Sequence, residues 1–375
     1  MSVSKIKRML AALTGFVLLF STGGAAADYV LNLRQGVTPI SHEIYDLHML
    51  ILWICVAIAV VVFSAMFISI LKHRKSKGVQ PAQFHESTTV EIIWTIVPFL
   101  ILIGMAVPAT KALVMMEDTS NSDLSIKVTG YQWKWGYDYL DEDVSFISTL
   151  TTPRDQIENR QEKGINYLLE VDNPLVVPVN KKVRMLITAN DVIHAWWVPD
   201  LGMKKDAIPG FVNEMWFKAE KEGTYRGQCA ELCGKDHGFM PIVVIVKNEA
   251  DYQQWVAGQK RQKAAASAGA DREWAMAELM ERGEKVYGSN CAACHQANGG
   301  GVPGAFPALK GSAIATGPKA AHMNIVMNGK SGTAMSAFAG QLNDIDLAAV
   351  ITYERNAWGN NTGDLVQPSE IKAAR

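Results

Sequence analysis

The chain has 375 residues, enough for two or three domains, and its formal net charge at pH 7 is only -1. A chain so close to neutrality lacks the excess of positive charge with which proteins contact phosphates, so no nucleic-acid partner is expected. Four of the five cysteines fall into two short clusters and the fifth, Cys55, lies in an apolar run, so a disulfide framework is not expected either.

The N-terminus has the parts of a secretory signal peptide. Basic residues precede the apolar stretch 9–20, and Ala25 and Ala27 fit the small-residue rule for cleavage. About 12 apolar residues are too few to span a hydrocarbon layer, which needs roughly 20. We therefore predict a signal peptide over residues 1–27, with an uncleaved anchor helix as the alternative.

Two apolar runs follow, over residues 47–71 and 92–107, and each is suited to a transmembrane helix. A basic loop, residues 72–77, separates them and should lie in the cytoplasm. That orientation puts everything after about residue 112 on the outer side of the membrane. Residues 28–112 are thus predicted to form an N-terminal segment and a two-helix transmembrane hairpin.

The remaining sequence changes character twice. Short alternating segments separated by Gly, Pro and Asn predict a β-sandwich over residues 113–257, and a small α+β domain is the weaker alternative. Residues 258–272 are rich in Lys, Gln, Ala and Ser, which is typical of a flexible polar linker. Residues 273–375 have helical periodicity before and after a cysteine pair, which predicts a mostly helical domain.

A cluster between residues 229 and 240 is of the kind that binds a soft metal ion. Two cysteines, a histidine and a methionine lie within twelve positions, and His194 precedes them. Thiolate, imidazole and thioether ligands favour copper, and cysteines four residues apart can place both sulfurs between two metal ions. Zinc could close a tetrahedral site with two cysteines and two histidines, but it would leave the methionine unexplained.

This cluster, with His194 in the stretch Asp-Val-Ile-His-Ala-Trp-Trp-Val-Pro, resembles the dinuclear copper A site of cytochrome c oxidase subunit II. In that family two cysteines bridge both coppers, while two histidines, a methionine and a glutamate carbonyl complete the coordination within a cupredoxin-like β-sandwich. Carried over, the implied ligands are Cys229, Cys233, His194, His237, Met240 and Glu231. The Glu231 side chain is further implied to reach a magnesium ion shared with subunit I.

Residues 131–139 carry five aromatic side chains in nine positions. In one continuous strand all five would lie on the same face, which usually indicates core. The segment resembles the aromatic strand through which subunit II receives electrons, and this implies that Trp133 is where electrons enter. Many relatives have tyrosine where this chain has Lys134, so docking of an external donor at this point stays open.

Glu91 stands at the start of the second apolar run, where a carboxylate in lipid is costly. It could simply stabilise the N-terminus of the helix. The resemblance implies instead a role at the cytoplasmic mouth of a proton channel in subunit I, and both interpretations stay open.

Residues 291–295 have the C-x-x-C-H pattern on which c-type haem is covalently attached. The thiols of Cys291 and Cys294 can each form a thioether to a haem vinyl group, and the imidazole of His295 then meets the iron. The pattern predicts a domain with covalently bound haem c, and a resemblance to small bacterial cytochromes c implies that it is an all-α class I cytochrome c domain.

The sixth ligand of the haem iron is predicted to be Met335. Its loop resembles the Ala-Met-Pro-x-Phe loop of small bacterial cytochromes c, although Ser336 replaces the proline. Met323 and Met327 are alternatives, but their spacing of four is typical of core residues on a helix. His322 is a weaker candidate.

Together these features resemble subunit II of a caa-type cytochrome c oxidase with a cytochrome c domain fused at its C-terminus. The resemblance implies that electrons from a reduced cytochrome c donor pass to subunit I, where oxygen is reduced to water and protons are translocated. Subunit I, and also subunit III, are the implied partners. The implied location is the bacterial inner membrane, with the copper and haem domains on the periplasmic side.

Two other functions remain as alternatives. One is the electron-input subunit of a copper-A nitric oxide reductase, and the other is a membrane-anchored electron carrier without an enzyme. A quinol oxidase subunit is disfavoured, because both copper cysteines are present.

Overall fold

Two long apolar helices open the computed structural model, which describes residues 32–375 apart from Pro81, Phe84 and Ser331. Its contacts divide the chain into a unit that ends at Gln35 and one from Gly36 to Arg375, and every element named below belongs to the second. The predicted signal peptide, residues 1–27, lies outside the described residues.

Helix α1 spans Pro39–His73 and helix α2 spans Thr88–Glu117. The side-chain oxygen of Thr38 caps α1 by accepting a hydrogen bond from the backbone N–H of Ser41. Both helices are long and apolar enough to cross a membrane and expose most of their large apolar side chains. The two predicted spans are confirmed, and each helix extends beyond its apolar run.

The central domain is a sandwich of two five-stranded sheets, with strand orders β3-β2-β1-β5-β8 and β4-β10-β9-β6-β7. The pairs β1–β5 and β4–β10 are parallel and the other neighbours antiparallel. The strands are β1 Leu124–Tyr131, β2 Lys134–Tyr139, β3 Val144–Ser148, β4 Leu175–Pro178, β5 Val183–Ala189, β6 His194–Val198, β7 Met203–Ala207, β8 Asn213–Phe217, β9 Gly223–Cys229 and β10 Pro241–Lys247. A four-residue helix, α3, spans Arg154–Ile157. Apolar residues of both sheets share one core, which confirms the predicted β-sandwich.

The aromatic segment is not one continuous strand, which corrects the sequence-based expectation. Strand β1 ends at Tyr131, β2 begins at Lys134, and these two residues face each other in an antiparallel pair. A tight turn therefore separates the strands, and Trp133 lies in that turn rather than on a strand face. The aromatic side chains of β2 do share a buried face, as predicted: Trp135, Tyr137 and Tyr139.

The segment between the sandwich and the last domain is helical as far as Ser267, so the linker predicted over 258–272 is not flexible over that part. Helix α4 spans Glu249–Ser267. Its Lys, Gln and Ala residues are strong helix formers, and the same composition had suggested an unstructured polar linker. Tyr252 and Val256 of this helix are buried in the core of the sandwich, so the helix packs against that domain.

The C-terminal domain is helical in the described residues, as predicted. Its helices are α5 Met276–Asn290, α6 Ala292–His295, α7 Lys319–Asn328, α8 Asp344–Asn356 and α9 Pro368–Ala374. Helices α5 and α8 cross at Gly283, where a Cβ atom would collide with the carbonyl oxygen of Ala349. The glycine therefore lets the two helices approach closely and frame the segment 291–295.

Candidate functional site

Neighbouring strand ends and one loop bring the predicted copper ligands together. His194 opens β6 and Cys229 ends the adjacent β9. The Nδ1 atom of His194 lies 3.9 Å from the Sγ atom of Cys229. The loop after β9 then carries Cys233, whose Sγ atom lies 3.9 Å from that of Cys229. Strand pairing thus joins a histidine to a cysteine 35 residues further along the chain.

The rest of the loop folds back on Cys233. Its Sγ atom lies 3.5 Å from the Nδ1 atom of His237 and 3.5 Å from the Sδ atom of Met240. The backbone oxygen of Glu231 lies 3.3 Å from the Sγ atom of Cys229, whereas the Glu231 side chain is exposed. Each of the other four predicted ligand groups therefore lies within 4 Å of one of the two cysteine sulfur atoms.

The donor set fits a pair of copper ions. Two thiolates, two imidazoles and a thioether are soft or intermediate ligands, which favour copper over hard cations. Three of these groups, from His194, Cys229 and Cys233, are buried and lie within 4.8 Å of one another. Two sulfur atoms that share one site can bridge two metal ions, and the methionine, unexplained by zinc, lies within the same cluster.

The two sulfur atoms are electrostatically unlike. The hydrogen bond that joins them lowers the pKa of Cys229 to about 3 and raises that of Cys233, so the pair shares one proton. Burial disfavours the charged form of His194, but its hydrogen bonds to Asp191 and Cys229 outweigh burial and raise its pKa. Of the two thiols, Cys229 is therefore the one that ionises first.

Asp191 orients the site, although sequence reasoning assigned it no role. Its Oδ1 atom lies 2.9 Å from the Nε2 atom of His194, which leaves Nδ1 facing Cys229. Its Oδ2 atom accepts a hydrogen bond from the backbone N–H of Gln132 at 2.7 Å. One carboxylate therefore fixes both a predicted ligand and the turn that carries Trp133. An acidic residue three positions before a ligand histidine was the available signal.

Trp133 rests directly on the copper-binding loop. Its indole Nε1 atom donates a hydrogen bond to the backbone oxygen of Cys233 at 3.3 Å. The side chain of Gln132 donates to the same oxygen at 2.8 Å. The turn, and not an exposed strand face, sets the position of this tryptophan beside the metal ligands.

The haem-attachment residues lie at the junction of α5 and α6. Cys291 follows α5, and His295 ends α6 with its side chain buried. The Nδ1 atom of His295 lies 2.8 Å from the backbone oxygen of Pro307, which leaves Nε2 for a metal ion. Burial raises the pKa of Cys291 and Cys294. Two free thiols beside an oriented imidazole fit a covalently attached haem.

The candidates for the sixth ligand differ in their surroundings. Met335 is half-buried in a loop against the core of the helical domain. Met323 and Met327 are buried in α7 and belong to that core, as their spacing predicted. The Nε2 atom of His322 lies 2.9 Å from a carboxylate oxygen of Glu354, so this ring nitrogen already has a partner.

Glu91 lies in the first turn of α2, where its Oε1 atom accepts a hydrogen bond at 3.4 Å from the backbone N–H of Ser87. This contact is the one expected of a carboxylate that stabilises a helix N-terminus. A role in proton uptake stays a prediction.

Three protein families match the chain. Residues 124–247 match the family described as cytochrome c oxidase subunit II, periplasmic domain, and residues 26–112 match the corresponding transmembrane domain. Residues 278–353 match the family described as cytochrome c oxidase, cbb3-type, subunit III.

The chain is also similar to individual oxidase subunits. It is 40% identical over 249 residues to the probable cytochrome c oxidase subunit 2 of Rickettsia bellii, covering 65% of this chain and 91% of the relative. It is 38% identical over 263 residues to cytochrome c oxidase subunit 2 of Cereibacter sphaeroides, covering 64% of this chain and 87% of that one. The solved periplasmic domain of cytochrome oxidase subunit II of Bradyrhizobium japonicum is 46% identical, with 38% of this chain and 98% of that chain covered and a TM-score of 0.35.

Proposed function

Since the chain belongs to the cytochrome c oxidase subunit II family and carries a cytochrome c domain, we propose that its own residues form the path by which electrons enter the oxidase. The chain is a two-pass membrane protein with a periplasmic domain, and it is a subunit of an oxidoreductase complex. We infer that a reduced cytochrome c donor supplies the electrons. Subunit I receives them, reduces oxygen to water and translocates protons.

We assign the copper A ligands to the six groups around Cys229 and Cys233. When bound, the dicopper centre and haem c supply reversible one-electron oxidation and reduction. The chain's part is to hold two thiolates between the metal positions and to keep His194 oriented through Asp191. Sheet strands fix His194 and Cys229, so the site needs little rearrangement.

We assign covalent haem attachment to Cys291 and Cys294, and His295 and Met335 would hold the haem iron. The hydrogen bond between His295 and the carbonyl oxygen of Pro307 holds the imidazole in one orientation. Met335 is the chosen methionine because it lies in a loop, whereas Met323 and Met327 fill the helical core. Trp133, hydrogen-bonded to the copper loop, is assigned to the passage of electrons.

Further assignments concern the partners. Glu231 combines a backbone oxygen inside the metal cluster with an exposed side chain, which supports its reach to a magnesium ion shared with subunit I. Glu91 would serve the cytoplasmic mouth of a proton channel in subunit I. Subunit III is a further partner, and the bacterial inner membrane is the location.

One observation carries this proposal. Folding brings His194 next to Cys229, 35 residues further along the chain, and next to Cys233 in the following loop, and all three residues are buried. It is tested on the complex purified through a tag on this chain from its native membrane. Cyanide-sensitive oxygen uptake with reduced cytochrome c is expected, followed with an oxygen electrode.

A Cys233→Ser variant should lose copper and uptake together, because a serine hydroxyl is a poor ligand for copper. The matched control is Cys55→Ala, since Cys55 lies on a membrane helix away from both clusters. An intact, metal-loaded complex that consumes no oxygen would contradict the proposal and favour nitric oxide reduction or simple electron carriage.

A further inference from the structure

Lys134 is a buried lysine that joins the copper domain to the haem domain. It opens β2 of the sandwich and is only 7% exposed. Its Nζ atom lies 3.2 Å from the Oδ1 atom of Asn290 and 5.0 Å from the ring centroid of Phe338. Asn290 immediately precedes the first haem-attachment cysteine, and Phe338 follows the Met335 loop. Both partners therefore belong to the haem domain.

The burial of this ammonium group depends on the neighbouring domain. Within the sandwich, the ring centroid of Tyr131 is 5.9 Å away, and the charge of Asp191 also acts on the ammonium group. Lysine is rarely buried unless it is paired, because desolvation of the charge is costly. Burial lowers the pKa of Lys134 to about 8. The amide oxygen of Asn290, two aromatic faces and the charge of Asp191 offset this cost, and Asn290 and Phe338 belong to the haem domain.

The charges of the copper loop also act on the haem-attachment segment. Cys294 is close enough to Lys235 and Asp236 for their charges to act on its thiol. These two residues stand between Cys233 and His237, both assigned as copper ligands. The haem-attachment segment thus contacts the sandwich at Lys134, and its thiol at Cys294 lies within the electrostatic influence of the loop assigned to the metal.

We propose that Lys134 is a positioning residue whose ammonium group seats the chain's own cytochrome domain over the turn that carries Trp133. An external donor then delivers its electron to the haem domain, because the seated domain occupies the approach to Trp133. This inference rests on the proposed function.

The test uses the complete oxidase complex with both metal groups loaded, and two readouts. Hydrogen exchange of residues 290–296 reports whether the haem domain is seated and needs no turnover. In the second readout, the haem is reduced by a light pulse. The transfer of that one electron from the haem to the copper centre is then followed optically.

The variants are Lys134→Met, which keeps the chain length without the charge, Asn290→Ala on the other domain, and the double variant. Each single variant should raise exchange in 290–296 and slow intrachain transfer about tenfold, because each removes the same hydrogen bond. The double variant should be no worse than either single one, as expected for two partners of one contact. Covalent haem content is measured in each variant.

Lys127→Met is the control, since Lys127 is an exposed lysine that pairs with Asp138 on the same sheet. It should exchange and transfer electrons like the wild type. Normal exchange in Lys134→Met, or additive effects in the double variant, would refute the seating contact. If reduced cytochrome c reduces the copper centre of the wild type before it reduces the haem, the haem domain does not cover the approach to Trp133.

The test distinguishes failure of the proposed function from failure of the seating contact. A complex that does not reduce oxygen, yet loses protection at 290–296 in Lys134→Met, would contradict the proposed function and leave the seating contact in place. A complex with full turnover in which Lys134→Met leaves exchange at 290–296 unchanged would contradict the seating contact and leave the proposed function in place.

Discussion

The Nε2 atom of His194 lies 2.9 Å from the Oδ1 atom of Asp191, and this contact decides which nitrogen of the ring faces the thiols. The other oxygen of the same carboxylate holds the backbone of Gln132 at 2.7 Å. Asp191 thereby couples the orientation of a predicted copper ligand to the turn before Trp133.

Replacement of Asp191 by Asn should weaken copper binding by about ten- to hundredfold, because outer partners of metal ligands contribute that much to affinity. Competition titration of copper against a chelator measures the change. Asp138→Asn is the control, since Asp138 is exposed and pairs with Lys127 outside the cluster. Equal copper affinities in Asp191→Asn and the wild type would show that the ring needs no such partner.

The copper-free protein should contain one thiolate at mildly acidic pH. The hydrogen bond between the sulfur atoms lowers the pKa of Cys229 to about 3, so this thiol stays ionised until the pH falls towards that value. The pKa of Cys233 is raised by the same bond, so it adds no second thiolate. Ultraviolet absorbance of the thiolate during an acid titration measures the number.

Cys229→Ser should remove this thiolate signal, and Cys55→Ala should leave it intact. A titration in which the thiolate disappears near the ordinary thiol pKa would contradict the shared proton between the two copper cysteines.

Substitution of Met335 by Ala should leave haem attached but open to external ligands. The covalent bonds from the haem to Cys291 and Cys294 do not depend on the sixth ligand. Loss of the Met335 sulfur, however, would free one coordination position of the iron. Carbon monoxide binding to the reduced protein, followed by optical titration, measures the change. Met327→Leu is the control, because Met327 belongs to the helical core. Unchanged carbon monoxide binding in Met335→Ala would refute the assignment.

Two glycines of α5 should respond oppositely to alanine. At Gly283 a Cβ atom would collide with Ala349 and lie 2.6 Å from the Cβ atom of Tyr353, so Gly283→Ala should destabilise the domain by about 1–3 kcal/mol. At Gly288 nothing lies within 4 Å, so Gly288→Ala should stabilise the helix by up to ~1 kcal/mol.

Thermal unfolding of the haem-loaded protein, followed by haem absorbance, compares the two variants. Equal transition temperatures in Gly283→Ala and Gly288→Ala would mean that the crossing of α5 and α8 is looser than its backbone contact indicates.

The sequence by itself determined the features that depend on residues close together in the chain. The spacing from Cys229 to Met240 and the pentad 291–295 predict metal chemistry because each motif is a short segment whose ligands can reach one metal ion without help from distant elements. The two membrane spans follow for a similar reason, since hydropathy over about 20 residues is a local property.

Tertiary structure decided everything that depends on distant residues or on competing local preferences. The antiparallel pairing of Tyr131 with Lys134 overrides the aromatic alternation and turns Trp133 out of the strand. Helix α4 buries Tyr252 and Val256 in the core of the sandwich, and its helical structure continues into a segment whose composition equally suits a flexible linker. Asp191 and Lys134 acquire their roles only when folding brings strands and a second domain to them, because charge and burial are set by neighbours that the chain order does not reveal.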